Sequence, residues 1–137
     1  MFFGSSADGS VTALDAVTGA ERWSFLTAGP VRFAPAISGD RALAVSDDGF
    51  LYCLATGDGK LLWKKRGHDD GGMVLGNGRL ISRWPARGGP VIADGVVYWA
   101  AGIWPSEGVF IQATDTSTGA TLWRNATAAD IVMPQPH

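Results

Sequence analysis

Short runs of apolar and β-branched residues alternate along the chain with Gly, Pro and Asp-Gly punctuation, a rhythm that predicts strands joined by tight turns and argues against helices. Met1 to Ser5, Val11 to Leu14 and Glu21 to Phe25 form a first set of strands, with Asp8-Gly9 as a turn. A second set runs Arg32 to Ser38, Arg41 to Ser46, Phe50 to Leu54 and Lys60 to Lys65. The third set is Pro90 to Ala93, Val96 to Ala101, Val109 to Ala113 and Thr121 to Arg124, followed by a Pro-containing tail from Ala126 to His137. Between the last two sets, Met73 to Ile81 places two apolar runs about Asn77-Gly78, the signature of a small hairpin.

The sets end alike. Ala13-Leu14-Asp15-Ala16-Val17-Thr18-Gly19-Ala20-Glu21-Arg22-Trp23 returns as Ala113-Thr114-Asp115-Thr116-Ser117-Thr118-Gly119-Ala120-Thr121-Leu122-Trp123. A degraded copy from Cys53 to Trp63 keeps Gly59 and Trp63, has Asp58 in the Thr position and loses the Asp to Ala55. In Asp-x-x-Thr-Gly the Asp and Thr side chains bond their own backbone and Gly accepts positive φ, so each copy reads as a hairpin closed by a tight turn. The Trp stands on the outgoing strand and needs a hollow for its ring; the first position of each copy, Ala13, Cys53 or Ala113, is small and is expected to supply it. Trp23 and Trp63 are 40 residues apart and Trp63 and Trp123 are 60 apart. A period near 40 predicts the blades of a β-propeller, four antiparallel strands each.

The fold class expected is therefore all-β, about three blades, the first lacking its innermost strand. Blade 1 spans about 1–27, blade 2 about 30–66 and blade 3 about 90–125, with 66–89 an inserted loop and 126–137 a tail. An arc of this kind leaves a blade face uncovered at each end, so the partners expected first are the remaining blades of a longer protein, or self-association.

This A-x-D-x-x-T-G-x-x-x-W pattern resembles the tryptophan-docking motif of the pyrroloquinoline-quinone (PQQ)-like propeller repeats, a family holding both quinoprotein alcohol and glucose dehydrogenases and an outer-membrane assembly lipoprotein. The resemblance covers almost the whole chain. It implies that Trp23, Trp63 and Trp123 pack between adjacent blades, and a periplasmic or cell-envelope location. It does not carry an activity, because enzymes and non-enzymes share the repeat. Family dehydrogenases hold PQQ in the channel with calcium, a catalytic Asp and, in the alcohol-oxidising branch, a ring of adjacent cysteines; the single Cys53 rules out the last. No catalytic residue or metal ligand is carried over, no cofactor is predicted, and PQQ with calcium belongs only to the oxidoreductase alternative.

Composition narrows the rest. The 137 residues suit one domain, and 19 of them are Gly, in keeping with many turns. A net charge of −2 gives no electrostatic reason to expect nucleic acid or an anionic membrane as partner. No apolar stretch approaches the ~20 residues of a transmembrane helix, and Met1-Phe2-Phe3-Gly4 lacks a basic segment with a signal core, so no membrane insertion is expected. Cys53 cannot form an internal disulfide and reads as a packing residue.

Successive connections in an antiparallel blade alternate between the two propeller faces, so the inserted loop and the Gly102 to Gly108 connection share one face. They carry Trp84, Trp104, Arg79, Arg83, Arg87, His68, Asp69, Asp70 and Glu107. Arg32-Phe33-Ala34-Pro35 and Arg87-Gly88-Gly89-Pro90 each place Arg three residues before a Pro that opens an innermost strand. Arg32 and Arg87, with Trp84 and Trp104, form the candidate ligand face: two guanidinium groups there can fork onto a carboxylate or phosphate. Arg at such a junction more often binds backbone carbonyls or a local Asp. His68-Asp69-Asp70, followed by Gly71-Gly72, reads as a solvated turn rather than a metal site. The reading preferred is a non-catalytic propeller segment that binds or assembles through one loop-rich face; the alternatives are part of a PQQ-dependent oxidoreductase and a sensor for a small anion.

Overall fold

The computed structural model of the chain describes residues 1–68, 73–76, 79–82, 84–102 and 109–125. Strands β1 (Phe2–Gly4), β2 (Ser10–Leu14) and β3 (Glu21–Leu26) form a three-stranded antiparallel sheet. A four-stranded sheet follows from β4 (Ala36–Ser38), β5 (Arg41–Val45), β6 (Phe50–Ala55) and β7 (Leu61–Arg66). The hairpin β8 (Met73–Gly76) and β9 (Arg79–Ser82) precedes a second four-stranded sheet of β10 (Val91–Ala93), β11 (Val96–Ala101), β12 (Phe110–Asp115) and β13 (Thr121–Asn125). Every pairing is antiparallel between chain neighbours, the topology of propeller blades. No described residue is helical, so among the described residues no helix is long and apolar enough to cross a membrane.

The core lies between sheets. Because side chains alternate faces along a strand, the middle sheet is apolar on both sides. Its Ala42, Ala44 and Leu54 pack with Val11, Ala13, Trp23 and Val31 against the first sheet. Its Leu43, Val45, Leu51 and Cys53 pack with Val97, Trp99, Ala101 and Phe110 against the third. Cys53 is fully buried there, and burial pushes its thiol up to about 11.

The innermost strands are shorter than the sequence pattern predicts. β4 begins at Ala36 rather than Arg32 and β10 at Val91 rather than Pro90. Pro35 and Pro90 have no N–H for a ladder, and the Arg32 side chain is engaged elsewhere, as described below. All three outgoing strands bear a bulge at the same place, at Arg22, Leu62 and Leu122, opposite the steps from Ala13 to Leu14, Cys53 to Leu54 and Ala113 to Thr114. A bulge bends its strand and increases local twist, and in each sheet it falls directly before the Trp.

Candidate functional site

Two arrangements lie at opposite ends of the strands, and the first of them recurs. The first is built on the repeated turn. Asp15 Oδ1 accepts the N–H groups of Val17 at 2.8 Å and Thr18 at 3.0 Å, and Thr18 Oγ1 accepts from Ala20 N at 3.3 Å. Asp115 does the same with Ser117 and Thr118, and Thr118 with Ala120. The bonds from Thr18 and then Val17 hold the Asp15 carboxyl below the usual carboxylate range. In the middle copy Ala55 has no carboxylate, and Asp58 replaces the Thr by accepting from Lys60 N at 3.0 Å. The backbone closes alike in all three, with Gly19, Gly59 and Gly119 donating to the carbonyls of Asp15, Ala55 and Asp115.

These turns receive the Trp of the preceding sheet. Trp23 Nε1 donates to Thr56 O at 2.8 Å, and Trp63 Nε1 to Thr116 O at 3.1 Å. A Cβ on Gly59 would stand 2.5 Å from Trp23 Cε3, and one on Gly119 would stand 2.8 Å from Trp63 Cδ2. The receiving hollow is thus the glycine of the next blade, which corrects the expectation that Ala13, Cys53 and Ala113 provide it. Those three are the cross-strand partners of their own Trp. Glycine is required twice over at 59 and 119, for the ring above it and for φ of +74° and +76°. Trp123 has no such receiver among the described residues; it is 48% exposed, against 8% for Trp23.

The second arrangement centres on the β5–β6 turn, where Asp47 is 1% exposed. Arg32 Nε donates to Asp47 Oδ2 at 2.8 Å. Arg87 donates through Nε to Oδ1 and through Nη2 to Oδ2, both at 3.0 Å. The two Arg that share a spacing from Pro therefore converge, and the carboxylate they fork onto is internal. In the sequence Asp47 is marked only by its place in the short Asp47-Asp48-Gly49 turn. Its neighbour Asp48 accepts from Ala28 N, Phe50 N and the Tyr52 hydroxyl. Burial, and then that bond to Asp48, raises the Tyr52 hydroxyl well above its ordinary range. The connection leading to the third sheet is bonded across this turn: Ser82 N donates to Asp47 O at 2.8 Å and Ala86 N to Ser46 O at 3.0 Å.

Other candidates are placed as follows. Trp84 is buried in the core between the second and third sheets rather than presented to solvent. His68 stacks on its ring at 3.7 Å between centroids and leans on Phe110, so it is a packed side chain and not part of a solvated turn. Trp104, Arg83, Asp69, Asp70 and Glu107 lie outside the described residues. Both oxygens of Asp47 and of Asp48 accept from internal donors. Among the described residues no three His, Cys, Asp or Glu cluster as metal ligands.

In comparison with known proteins, the family model described as outer membrane protein assembly factor BamB matches residues 7–135. No curated protein matches the chain in sequence. Among solved structures, it is similar to a europium-containing methanol dehydrogenase, at 21% identity and a TM-score of 0.70, over 90% of this chain and 22% of that one. It is similar to the quinohemoprotein alcohol dehydrogenase from Comamonas testosteroni, at 22% identity and a TM-score of 0.68, over 90% of this chain and 19% of that one. The computationally designed Ika4 protein aligns at 19% identity with a TM-score of 0.67, over 90% of this chain and 64% of that one. The chain thus spans about a fifth of the length of these dehydrogenases, and the likeness at such identities is one of fold. With nearly its full length matched by the family model and its sheets arranged as blades, the chain belongs to the PQQ-like β-propeller family that includes BamB.

Proposed function

We propose that this chain is a non-catalytic stretch of PQQ-like propeller, serving as a binding or assembly scaffold through the face that carries the β5–β6 turn and the connection into the third sheet. The observation behind the reading is the state of the acidic groups on that face. Asp47 and Asp48 are buried, and both oxygens of each accept from internal donors, Arg32 and Arg87 at Asp47 and Tyr52 with backbone N–H groups at Asp48. Carboxylates held by so many internal partners tie the turn to its neighbours and rigidify the surface, as a scaffold requires. The family description as an assembly factor points the same way, and on that ground we place the protein in the periplasm or cell envelope. Blade limits of about 1–27, 30–66 and 90–125, with 66–89 as an inserted connection, belong to the same proposal.

The alternative is a part of a PQQ-dependent oxidoreductase, and titration calorimetry with PQQ and calcium decides between them. The scaffold reading expects no saturable heat and no dye-linked alcohol oxidation. Stoichiometric micromolar binding overturns it. A further reading, binding of a small anion, has one observation in its favour: two partly exposed guanidinium groups converge on one carboxylate, Asp47. That reading expects citrate or phosphate to raise the melting temperature, and Arg87→Ala to abolish the rise.

A further inference from the structure

We infer that the outer groove between the first and second sheets is a docking site for an extended acidic segment of a partner protein, held by Lys64 and Arg66 over an aromatic floor.

Charge is laid out unevenly on this chain. Its net charge is −2, yet the outer strands β3, β7 and β13 carry five of the eleven Lys and Arg against one acid, Glu21. Glu21 lies opposite Leu14, on the side of the first sheet turned away from Ala13, Trp23 and the second sheet. The groove therefore receives cations alone. On β7, Lys64 lies opposite Tyr52 and Arg66 opposite Phe50, and cross-strand partners share a face. That face is turned to the first sheet, since the Tyr52 ring meets Phe25 at 5.7 Å between centroids and Phe50 at 6.0 Å. The three rings span both walls, and the buried Tyr52 is anchored beneath by its bond to Asp48.

Lys64 Nζ stands 4.9 Å and Arg66 Cζ 5.1 Å from the centre of the one Phe50 ring. Both side chains are exposed, and among the described residues neither has an acidic partner. Like charges so held repel one another, and the ring attracts both without neutralising either. An anion laid across them does neutralise them.

Spacing selects the occupant. Side chains two apart on a strand are about 6.4–6.8 Å apart, so Lys64 and Arg66 match alternate carboxylates of an extended chain lying along β7. Leu61, opposite Leu54 on the same face and 36% exposed, adds an apolar contact at the end of the row. The complement is a segment of alternating Asp or Glu that ends in a large apolar residue. An anionic bilayer fits less well, because the floor is recessed between two strands and the chain as a whole is net negative. Both walls, β3 and β7, are strands of this chain, and the groove stands whichever way titration with PQQ falls.

The test is fluorescence anisotropy of a rhodamine-labelled peptide that alternates Glu with Thr and ends in Leu, titrated with the 137-residue chain. Saturable binding that weakens with salt is expected. Lys64→Gln and Arg66→Gln should each weaken it about two- to five-fold, as for one exposed ion pair. Lys65→Gln removes the same charge from the other face of β7, where Lys65 Nζ donates to Thr121 Oγ1, and should bind as the parent does. Thermal melts matching the parent's show that the losses are not unfolding. No saturable binding by the parent overturns the inference, as does a loss for Lys65→Gln equal to that for Lys64→Gln, the mark of diffuse attraction. Sedimentation with phosphatidylglycerol vesicles is the remaining arm: a parent chain that pellets with them, and a Lys64→Gln chain that does not, overturns the peptide in favour of a membrane surface.

Discussion

Arg87 holds Asp47 bidentately, Nε to Oδ1 and Nη2 to Oδ2 at 3.0 Å each, although 40 residues and a sheet boundary separate them. The pair ties the entry of the third sheet to a turn of the second, and Arg32 binds the same carboxylate from the second sheet's own entry. Asp47 is buried, so removing it orphans two cations, while removing one Arg leaves the carboxylate its other partner. Asp47→Ala should cost roughly 3 kcal/mol, the low end for a broken buried ion pair, and Arg32→Ala clearly less. Urea denaturation measures both, and equal losses would count against a shared hub.

Glycine substitutions separate backbone strain from docking. At Gly19, Gly59 and Gly119, Ala must adopt φ above +70°, which costs about 1–2 kcal/mol. Only at 59 and 119 does the new Cβ also meet a Trp ring, adding roughly 1–3 kcal/mol of overpacking. Gly19→Ala should therefore be the mildest of the three in a thermal melt of the dilute monomer. If Gly59→Ala melts with Gly19→Ala, the indole is not seated where the geometry puts it.

Much of this was legible in the residues. The Asp-x-x-Thr-Gly turns follow from local chemistry, since Asp15, Thr18, Asp115 and Thr118 bond atoms within five residues of themselves. The strands followed from the apolar rhythm, except at Arg32 to Pro35, where Pro and a side-chain bond to Asp47 override it. The glycine hollow was not legible, because Gly59 and Trp23 meet only when two sheets pack. Nor was Asp47: nothing in a Ser-Asp-Asp-Gly turn distinguishes an exposed Asp from one that two distant Arg will bury. Trp84 reads as a surface residue for the same reason, since a loop Trp looks available until the fold covers it.

The two later Trp residues should differ in what they contribute. Trp63 packs on the second core cluster and bonds Thr116, while Trp123 is half exposed with Tyr98 as its ring neighbour at 6.2 Å. Trp63→Ala should cost about 3–5 kcal/mol, the range for deleting a packed Trp. Trp123→Ala should cost the dilute monomer under about 1 kcal/mol, as for a surface change. Chemical denaturation at a concentration below association gives both values, and similar losses contradict the ordering.

Alkaline pH gives a last measurement. The Tyr52 hydroxyl donates to Asp48 in a buried setting, and burial followed by that bond raises its pKa above the ordinary value near 10. Protonated Tyr is the neutral form, so a folded-state pKa above the unfolded one means the folded chain holds the proton more tightly. Its contribution is fully present below pH 10 and falls as pH rises from there toward the folded pKa, because the unfolded state ionises first. Cys53, pushed up to about 11 by burial, acts with the same sign over the lower part of that window, from its ordinary value of 9.0. Stability should thus be flat on account of these two groups up to about pH 8 and decline above it. Tyr52→Phe removes the alkaline slope belonging to Tyr52, yet it leaves Asp48 with only the backbone donors of Ala28 and Phe50. The variant should be less stable than the parent at pH 7 by about 1.5–3 kcal/mol, a hydrogen bond to a charged group, and the two denaturation curves should converge between pH 10 and 12. Parallel curves across that range would mean that the hydroxyl ionises as readily in the folded chain as in the unfolded one.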